Sequence, residues 1–244
     1  TSAEHKVDIV MPGSAGRFSY YNGVLAHVQD MFGDDILAKG KGSVQVPCVS
    51  SGAFLASVIA DGLSCAEIHE GVHTEMTEAV NKVHPSDILH SWYTELHRRT
   101  GLYSDNIHEK ASGTLRVSVT RTQLLPPKTE RTVVAEWQRR EDFITTIFRS
   151  AYIPFLAPER DLQNLMKFVG RDGAMYWDGV YPPYSPEGVT RIEADIHTRG
   201  QDYNVSSWIV PKSKAVLDEL FHDGIEDAET GIDWNPVRKA LESV

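Results

Sequence analysis

The sequence predicts an α/β protein with a mostly parallel central sheet. Short apolar segments with strand character, such as residues 7–11 and 44–49, alternate with longer segments whose apolar residues recur every three or four positions. This alternation is typical of helices packed on the faces of a parallel sheet. No internal repeat and no change in composition marks a linker within the 244 residues, so we expect one domain over residues 1–244.

The first predicted elements are a buried strand at 7–11, a loop of turn residues and a helix with one apolar face at 20–31. Later strands are short apolar or alternating runs, predicted at 44–49, 115–120, 132–137, 174–177 and 189–196. The second and third of these can pair across the polar loop at 126–131. Later helices have helical apolar periodicity, predicted at 51–59, 66–80, 86–99, 141–150, 212–221 and 236–241. Ser64 and Glu67 have the spacing of a capping box.

Composition limits the classes of function. A net charge of -10 argues against a nucleic-acid-binding protein, whose affinity depends on a basic surface. The two cysteines, Cys48 and Cys65, lie beside apolar residues and are expected to be reduced core thiols. The sequence contains no run of about 18 apolar residues and no signal-peptide core. We therefore expect a cytoplasmic protein or one attached peripherally to a membrane or lipid surface.

Ser50 lies between a predicted strand and a predicted helix, at the position of a nucleophile elbow. In that motif a serine on a sharp turn projects its hydroxyl above the sheet, and small residues flank the serine. Gly52 meets this requirement, whereas Cys48 replaces the glycine that usually stands two residues before the serine. An N-cap serine on a core helix explains the same pattern equally well. Ser51 is the rival hydroxyl, but it lacks a glycine two residues later.

The loop after the first strand is rich in small residues, at Gly13, Ser14, Ala15 and Gly16. Small side chains leave backbone N–H groups free to converge on an anion, and the following helix N-terminus favours negative charge. An ester hydrolase needs such donors where the oxyanion of the tetrahedral intermediate develops. A phosphate-binding loop and a simple tight turn are the alternative explanations of this segment.

Asp178 follows the predicted strand 174–177 and precedes a glycine. A carboxylate in direct hydrogen-bond contact with a serine can deprotonate it without a histidine. An Asp-Gly turn without function is the alternative explanation. Asp172 is a nearby rival, but no apolar strand precedes it.

In order along the chain, these motifs resemble the patatin-like phospholipase family. The similar segments are the loop 13–17, the helix entry 23–25, the elbow 48–53, the helix end 150–155 and the Asp-Gly pair 178–179. The helix end, Ser-Ala-Tyr-Ile-Pro-Phe, is most similar to the adiponutrin and adipose triglyceride lipase-like branch, and a bacterial patatin-like relative is the other possibility. The resemblance extends from about residue 6 to about residue 196.

The resemblance implies a three-layer α/β/α fold and a serine lipid acyl hydrolase. By analogy, Ser50 is the nucleophile, Asp178 is its base, and an acyl-enzyme forms without a metal or cofactor. The implied substrate is a lipid ester at a membrane or lipid surface, with water or an alcohol as acceptor. The chain departs from the family pattern at Cys48 and Val180, which replace glycines. A catalytically weak or inactive lipid-binding protein is therefore the alternative.

One segment also matches the His-Glu-x-x-His pattern of zinc metalloproteases. On a helix, His69 and His73 would share one face and bind Zn²⁺, while Glu70 polarises a water molecule. Glu95 and His97 are loosely placed candidates for the third ligand. On the patatin-like interpretation, the same segment is a surface helix with both histidines facing solvent.

Overall fold

A computed structural model describes residues 6–14, 17–71, 98, 101–123, 126–152, 169–170, 172–178, 182–194 and 213–244. The strands are β1 (Val7–Ile9), β2 (Val44–Val49), β3 (Leu115–Gln123), β4 (Lys128–Val134), β5 (Met175–Trp177) and β6 (Thr190–Ile192). The helices are α1 (Phe18–Phe32), α2 (Ile36–Lys39), α3 (Ser51–Asp61), α4 (Ile107–Ala111), α5 (Arg140–Ala151), α6 (Lys214–Thr230) and α7 (Asn235–Glu242). Residues 65–71 are also helical.

The strands form one mixed sheet, in the order β4-β3-β2-β1-β6, with β5 pairing to β3 off this path. The pairs β1–β2, β1–β6 and β2–β3 are parallel, whereas β4 and β5 are antiparallel to β3. The predicted α/β class, a mostly parallel sheet flanked by helices, is confirmed. This arrangement is compatible with the α/β/α layers that the resemblance implies.

Two strands meet end to end along one edge of β3. Strand β2 runs parallel to β3 and its last pair is Val49 with Ser118. Strand β5 runs antiparallel to β3, and its last residue, Trp177, pairs with Thr120. Because β2 and β5 run in opposite directions along the same edge, their carboxyl ends face each other across a gap of one β3 residue, Val119. The residues that follow the two strands are therefore brought together.

Helices α1 and α6 approach each other closely through a reciprocal pair of glycines. A Cβ atom on Gly23 would overlap the carbonyl oxygen of Phe221, and a Cβ atom on Gly224 would overlap the carbonyl oxygen of Tyr20. Side chains at these two positions would force the helix backbones apart. The contact explains why α6 continues through Gly224 to Thr230, well beyond the predicted end at residue 221.

Several element boundaries differ from the sequence prediction. Strand β1 ends at Ile9, although Met11 still forms an isolated bridge to Cys48. The predicted pairing of the two middle strands is confirmed, but β4 begins at Lys128, so much of the predicted loop is strand. The predicted cap is also confirmed, since the Glu67 amide donates to Ser64 Oγ at 3.2 Å. Residues 72–80 and all of 86–99 except residue 98 lie outside the described residues.

The core lies between the sheet and the helices. Cys48 and Cys65 are both buried and unbridged, as expected from the sequence, and burial raises the pKa of each thiol. Within the described part of the chain, no helix is both long and apolar enough to cross a membrane.

Because α1 and α6 are in close contact at Gly23 and Gly224, we expect a methyl group added at either glycine to destabilise the protein. Gly23→Ala and Gly224→Ala should each lower the free energy of unfolding by about 1 to 3 kcal/mol, because backbone atoms must move apart. Alanine is otherwise the better helix former by about 1 kcal/mol. Chemical denaturation checks the result, with Asp30→Ala on the exposed face of α1 as the control. Equal stability of all three variants would contradict the close contact.

Candidate active site

Ser50 forms a sharp turn between β2 and α3. Its φ is 56° and its ψ is -131°, and it is the one non-glycine residue with positive φ in the described part of the chain. Such a backbone conformation costs about 1 to 3 kcal/mol and persists only when neighbouring structure enforces it. Ser50 is half-buried, so the residue is not sealed within the core. These are the properties of a nucleophile elbow.

Small residues allow the chain to pack closely around this turn. A Cβ atom on Gly52 would overlap the carbonyl oxygens of Met11 and Pro12, so only glycine fits there without a shift of the backbone. A Cβ atom on Gly13 would lie 3.0 Å from the Cβ atom of Ser50. The loop after β1 therefore lies directly against the Ser50 side chain.

Cys48 is compatible with this geometry although it replaces a glycine of the family pattern. Its side chain is fully buried in the core, and its Sγ donates to the Arg116 carbonyl at 3.7 Å. The side chain of Cys48 is therefore accommodated in the core and bonded to β3.

Ser50 Oγ donates a hydrogen bond to Asp178 Oδ2 at 2.7 Å. The two residues are 128 positions apart in the sequence and directly follow β2 and β5, whose ends face each other along β3. Asp178, like Ser50, is half-buried. The structure thus brings together the two residues that the sequence analysis predicted as nucleophile and base.

The backbone of Asp178 is fixed on both sides. Its amide donates to the Tyr152 carbonyl oxygen at 2.5 Å, and its carbonyl oxygen accepts from Thr120 Oγ1 at 3.0 Å. Thr120 is fully buried and Tyr152 nearly so. These bonds set the position from which the carboxylate reaches Ser50.

The backbone of Ser50 is held by a buried hydroxyl at the end of α5. The Ser50 amide donates to Ser150 Oγ at 2.9 Å, and Ser150 Oγ donates in turn to the Ser118 carbonyl oxygen at 2.7 Å. No role for Ser150 or Thr120 is predicted from the sequence. The available signal was that Ser150 and Tyr152 belong to the segment 150–155, which carries part of the resemblance.

Ser51 is engaged by the loop after β1. Its Oγ accepts a hydrogen bond from the Ser14 amide at 3.0 Å and lies 3.0 Å from Ser14 Oγ. Ser51 is also buried, whereas Ser50 is half-buried. The structure therefore places Ser51 as a tether for the loop, in contrast to Ser50.

The hydrogen bond between the Ser14 amide and Ser51 also affects which of the predicted backbone amides can stabilise an oxyanion. The Ser14 amide points to Ser51, so it is occupied in this structure. Gly13 is exposed and lies against Ser50, whereas Ala15 and Gly16 lie outside the described residues. The Ser51 and Gly52 amides at the start of α3 have no acceptor within the helix and are further donors beside Ser50, whereas the Ala53 amide donates to the Ser50 carbonyl oxygen at 2.9 Å.

Asp172, the rival carboxylate, belongs to a different set of contacts. Its Oδ2 accepts from Arg121 Nε at 2.9 Å and Nη2 at 2.8 Å, and Tyr176 Oη lies 3.1 Å away. The hydrogen bonds from Arg121 lower the pKa of Asp172, and they also raise the pKa of Arg121. Asp172 is exposed and forms an ion pair on the surface rather than a contact with Ser50.

The prediction that His69 faces solvent is wrong. His69 is only 4% exposed, its ring stacks on Phe221 at 3.7 Å between centroids, and its Nε2 lies 3.3 Å from Asp218 Oδ1. These contacts with Phe221 and Asp218 of α6 explain the burial of His69. His73, Glu95 and His97 lie outside the described residues. In the part that the structure describes, no group of three or more His, Cys, Asp or Glu side chains is arranged to hold a metal ion.

Fold and site together define an α/β protein with a hydrogen-bonded serine–aspartate pair at a strand-to-helix turn. No family model and no curated protein matches the sequence. Among solved structures, the chain is similar to VipD from Legionella pneumophila, with a TM-score of 0.38 and 11% sequence identity. The alignment covers 78% of this chain and 49% of the VipD chain, so this chain spans less than the full length of that protein.

The Arg121–Asp172 ion pair predicts a pH-dependent contribution to stability. Since the folded-state pKa of Asp172 is lowered, its contribution is present above the unfolded pKa of about 3.9 and is lost as pH falls through the folded value. The difference in unfolding free energy between the wild type and Asp172→Asn should therefore shrink between about pH 6 and about pH 2.5. Urea denaturation at the two pH values measures it. A difference that stays constant would contradict the lowered pKa.

Proposed function

We propose that this protein is a serine ester hydrolase in which Ser50 is the nucleophile and Asp178 the general base. The observation that carries the proposal is the 2.7 Å hydrogen bond from the hydroxyl of a half-buried serine on a strained turn to a carboxylate. A base must lie within hydrogen-bond reach of the proton that it removes, and this pair meets that condition. A backbone strain that packing maintains at this residue further supports a functional role.

The proposed reaction has two steps. Ser50 Oγ attacks the ester carbonyl carbon while its proton moves to Asp178 Oδ2, and the tetrahedral intermediate collapses as Asp178 returns the proton to the departing alcohol. The resulting acyl-enzyme is cleaved by water, whose proton Asp178 accepts before giving it to Ser50. An alcohol in place of water would give a transacylase. The residues supply nucleophile, base and acid, so the sequence of steps needs no metal or cofactor.

The oxyanion needs donors because a carboxylate is a weak base for a serine hydroxyl. Proton transfer is therefore favourable only if attack on the carbonyl proceeds at the same time and the new negative charge is stabilised. Gly13 and the first amides of α3 lie beside Ser50 and are the proposed donors. One such donor contributes roughly 3 kcal/mol to lowering the barrier. The predicted donors at Ala15 and Gly16 remain proposals.

The proposed substrate class is a carboxylic ester of a glycerolipid. This assignment rests on the order of motifs shared with the patatin-like family, from the loop 13–17 to the pair 178–179. Because Cys48 and Val180 depart from the family pattern, the experiments must also distinguish an active enzyme from an inactive lipid-binding protein. A protein that binds lipid vesicles but never forms an acyl-enzyme would be that alternative.

Variants of the serine–aspartate pair test the proposed chemistry. Ser50→Ala should abolish both labelling by a fluorophosphonate probe and hydrolysis of a p-nitrophenyl ester. Asp178→Asn keeps the shape of the side chain but removes the base, so turnover should fall about 10²- to 10⁴-fold. Asp172→Asn is the matched control, because the same change removes a carboxylate that pairs with Arg121, and its turnover should equal that of the wild type.

Two results would overturn this assignment. An unlabelled wild type would leave the inactive lipid-binding protein as the better interpretation. Labelling that survives in Ser50→Ala but disappears in Ser51→Ala would transfer the nucleophile to the rival hydroxyl. We expect Ser51→Ala to remain labelled at a reduced rate, because the change releases the tether to Ser14.

The glycerolipid assignment predicts a preference for esters at a lipid surface. Turnover of a long-chain phospholipid or triacylglycerol in mixed micelles should exceed turnover of a soluble butyrate ester, because the acyl chain adds apolar binding area. Release of fatty acid, compared with the Ser50→Ala variant, measures the two activities. If the protein cleaves only the soluble ester, the proposed chemistry stands and the glycerolipid assignment is wrong.

A further inference from the structure

The carboxyl end of α5 contacts both halves of the proposed catalytic pair. Ser150 Oγ accepts a hydrogen bond from the Ser50 amide at 2.9 Å. Two residues later, the Tyr152 carbonyl oxygen accepts a hydrogen bond from the Asp178 amide at 2.5 Å. One short segment of chain, here called the α5 brace (residues 150–152), therefore fixes the backbones of two residues that are 128 positions apart.

The α5 brace is itself anchored to the sheet. Ser150 Oγ donates to the carbonyl oxygen of Ser118, the β3 residue that pairs with Val49 at the end of β2. Ser150 and Ser118 are both fully buried. Water cannot replace a bond lost at such a site without a rearrangement, so removal of the hydroxyl would leave an amide and a carbonyl group without their partner.

The anchored hydroxyl acts on the most strained residue of the site. Ser50 is held at a positive φ, a conformation that a non-glycine residue keeps only when neighbouring contacts enforce it. On the carboxyl side of Ser50, its carbonyl oxygen accepts a hydrogen bond from the Ala53 amide at 2.9 Å, a 3₁₀-type bond that opens the first turn of α3. The bond to Ser150 is the contact that fixes the amide side of the strained residue.

We infer that Ser150 is a positioning residue for the nucleophile, and this inference rests on the proposed function. It donates to Ser118 and accepts from Ser50, and so holds Ser50 in the conformation that directs its Oγ to Asp178. Ser150 touches neither substrate nor the transferred proton. Its loss should therefore lower the rate of acylation while leaving substrate binding intact.

Ser150→Ala tests the inference, with Ser57→Ala as the matched control. Ser57 is also a fully buried serine with two hydrogen-bond partners, the Phe54 carbonyl at 2.6 Å and Tyr103 Oη at 2.6 Å, but it lies in the middle of α3. Both variants lose a buried hydroxyl, and both should melt at a lower temperature than the wild type. Only Ser150→Ala should also lose activity per folded molecule.

The expected result is a separation of kcat from KM. For a soluble ester, Ser150→Ala should reduce kcat and the fluorophosphonate labelling rate about 10- to 100-fold, because a small displacement of the nucleophile has effects of this size. Its KM should change less than about twofold, and Ser57→Ala should match the wild type in both constants. Ser150→Thr, which retains a hydroxyl able to accept and donate, should recover most of the labelling rate.

Amide hydrogen exchange gives a second test that needs no variant. In the wild type, the Ser50 amide should exchange at least about 10-fold more slowly than an exposed amide, because its acceptor is buried. Fast exchange of that amide, or a folded Ser150→Ala variant with the kcat of the wild type, would overturn the positioning role and leave the proposed function standing. A wild type that the probe does not label would overturn the proposed function and this inference with it.

Discussion

The strained backbone of Ser50 is the constraint on which the rest of the site depends. A residue with φ 56° and ψ -131° does not keep that conformation unaided, since it costs about 1 to 3 kcal/mol. Three kinds of contact enforce it. The glycine at position 52 lets α3 begin directly under the loop after β1, the bond from Ala53 continues the helix, and Ser150 holds the amide. The result is a hydroxyl that precedes the helix and donates to Asp178.

The sheet supplies the partner for this hydroxyl through a short antiparallel strand. Strand β5 has only three residues, yet its pairing with β3 places its end opposite the end of β2. Asp178 therefore reaches Ser50 from a strand rather than from a long loop, and Thr120 and Tyr152 fix its backbone. Rigid support of this kind matters because catalysis by a weak base depends on an aligned hydrogen bond. Strand β3 therefore positions both members of the pair, because β2 and β5 both pair with it.

The sequence predicted the local features of the molecule better than the contacts between distant residues. Ser50 and Asp178 each had an ordinary alternative explanation, and only the order of motifs suggested that they meet. Local patterns also missed that His69 packs on α6 and that the Ser14 amide binds Ser51, because both contacts join separate elements. Gly224 would ordinarily suggest a helix end, but close packing on α1 reverses that expectation. Boundaries and partners of this kind depend on tertiary structure, which periodicity does not record.

The location of the covalent adduct in the wild-type protein shows which hydroxyl is reactive. After reaction with a fluorophosphonate, tandem mass spectrometry with fragment ions that separate residue 50 from residue 51 identifies the modified oxygen. We expect a single phosphonate on Ser50, lost when the protein is unfolded before the reaction. An adduct on Ser51 or Ser14, or equal labelling of the unfolded chain, would contradict it, because a strained and paired hydroxyl would not then be the source of reactivity.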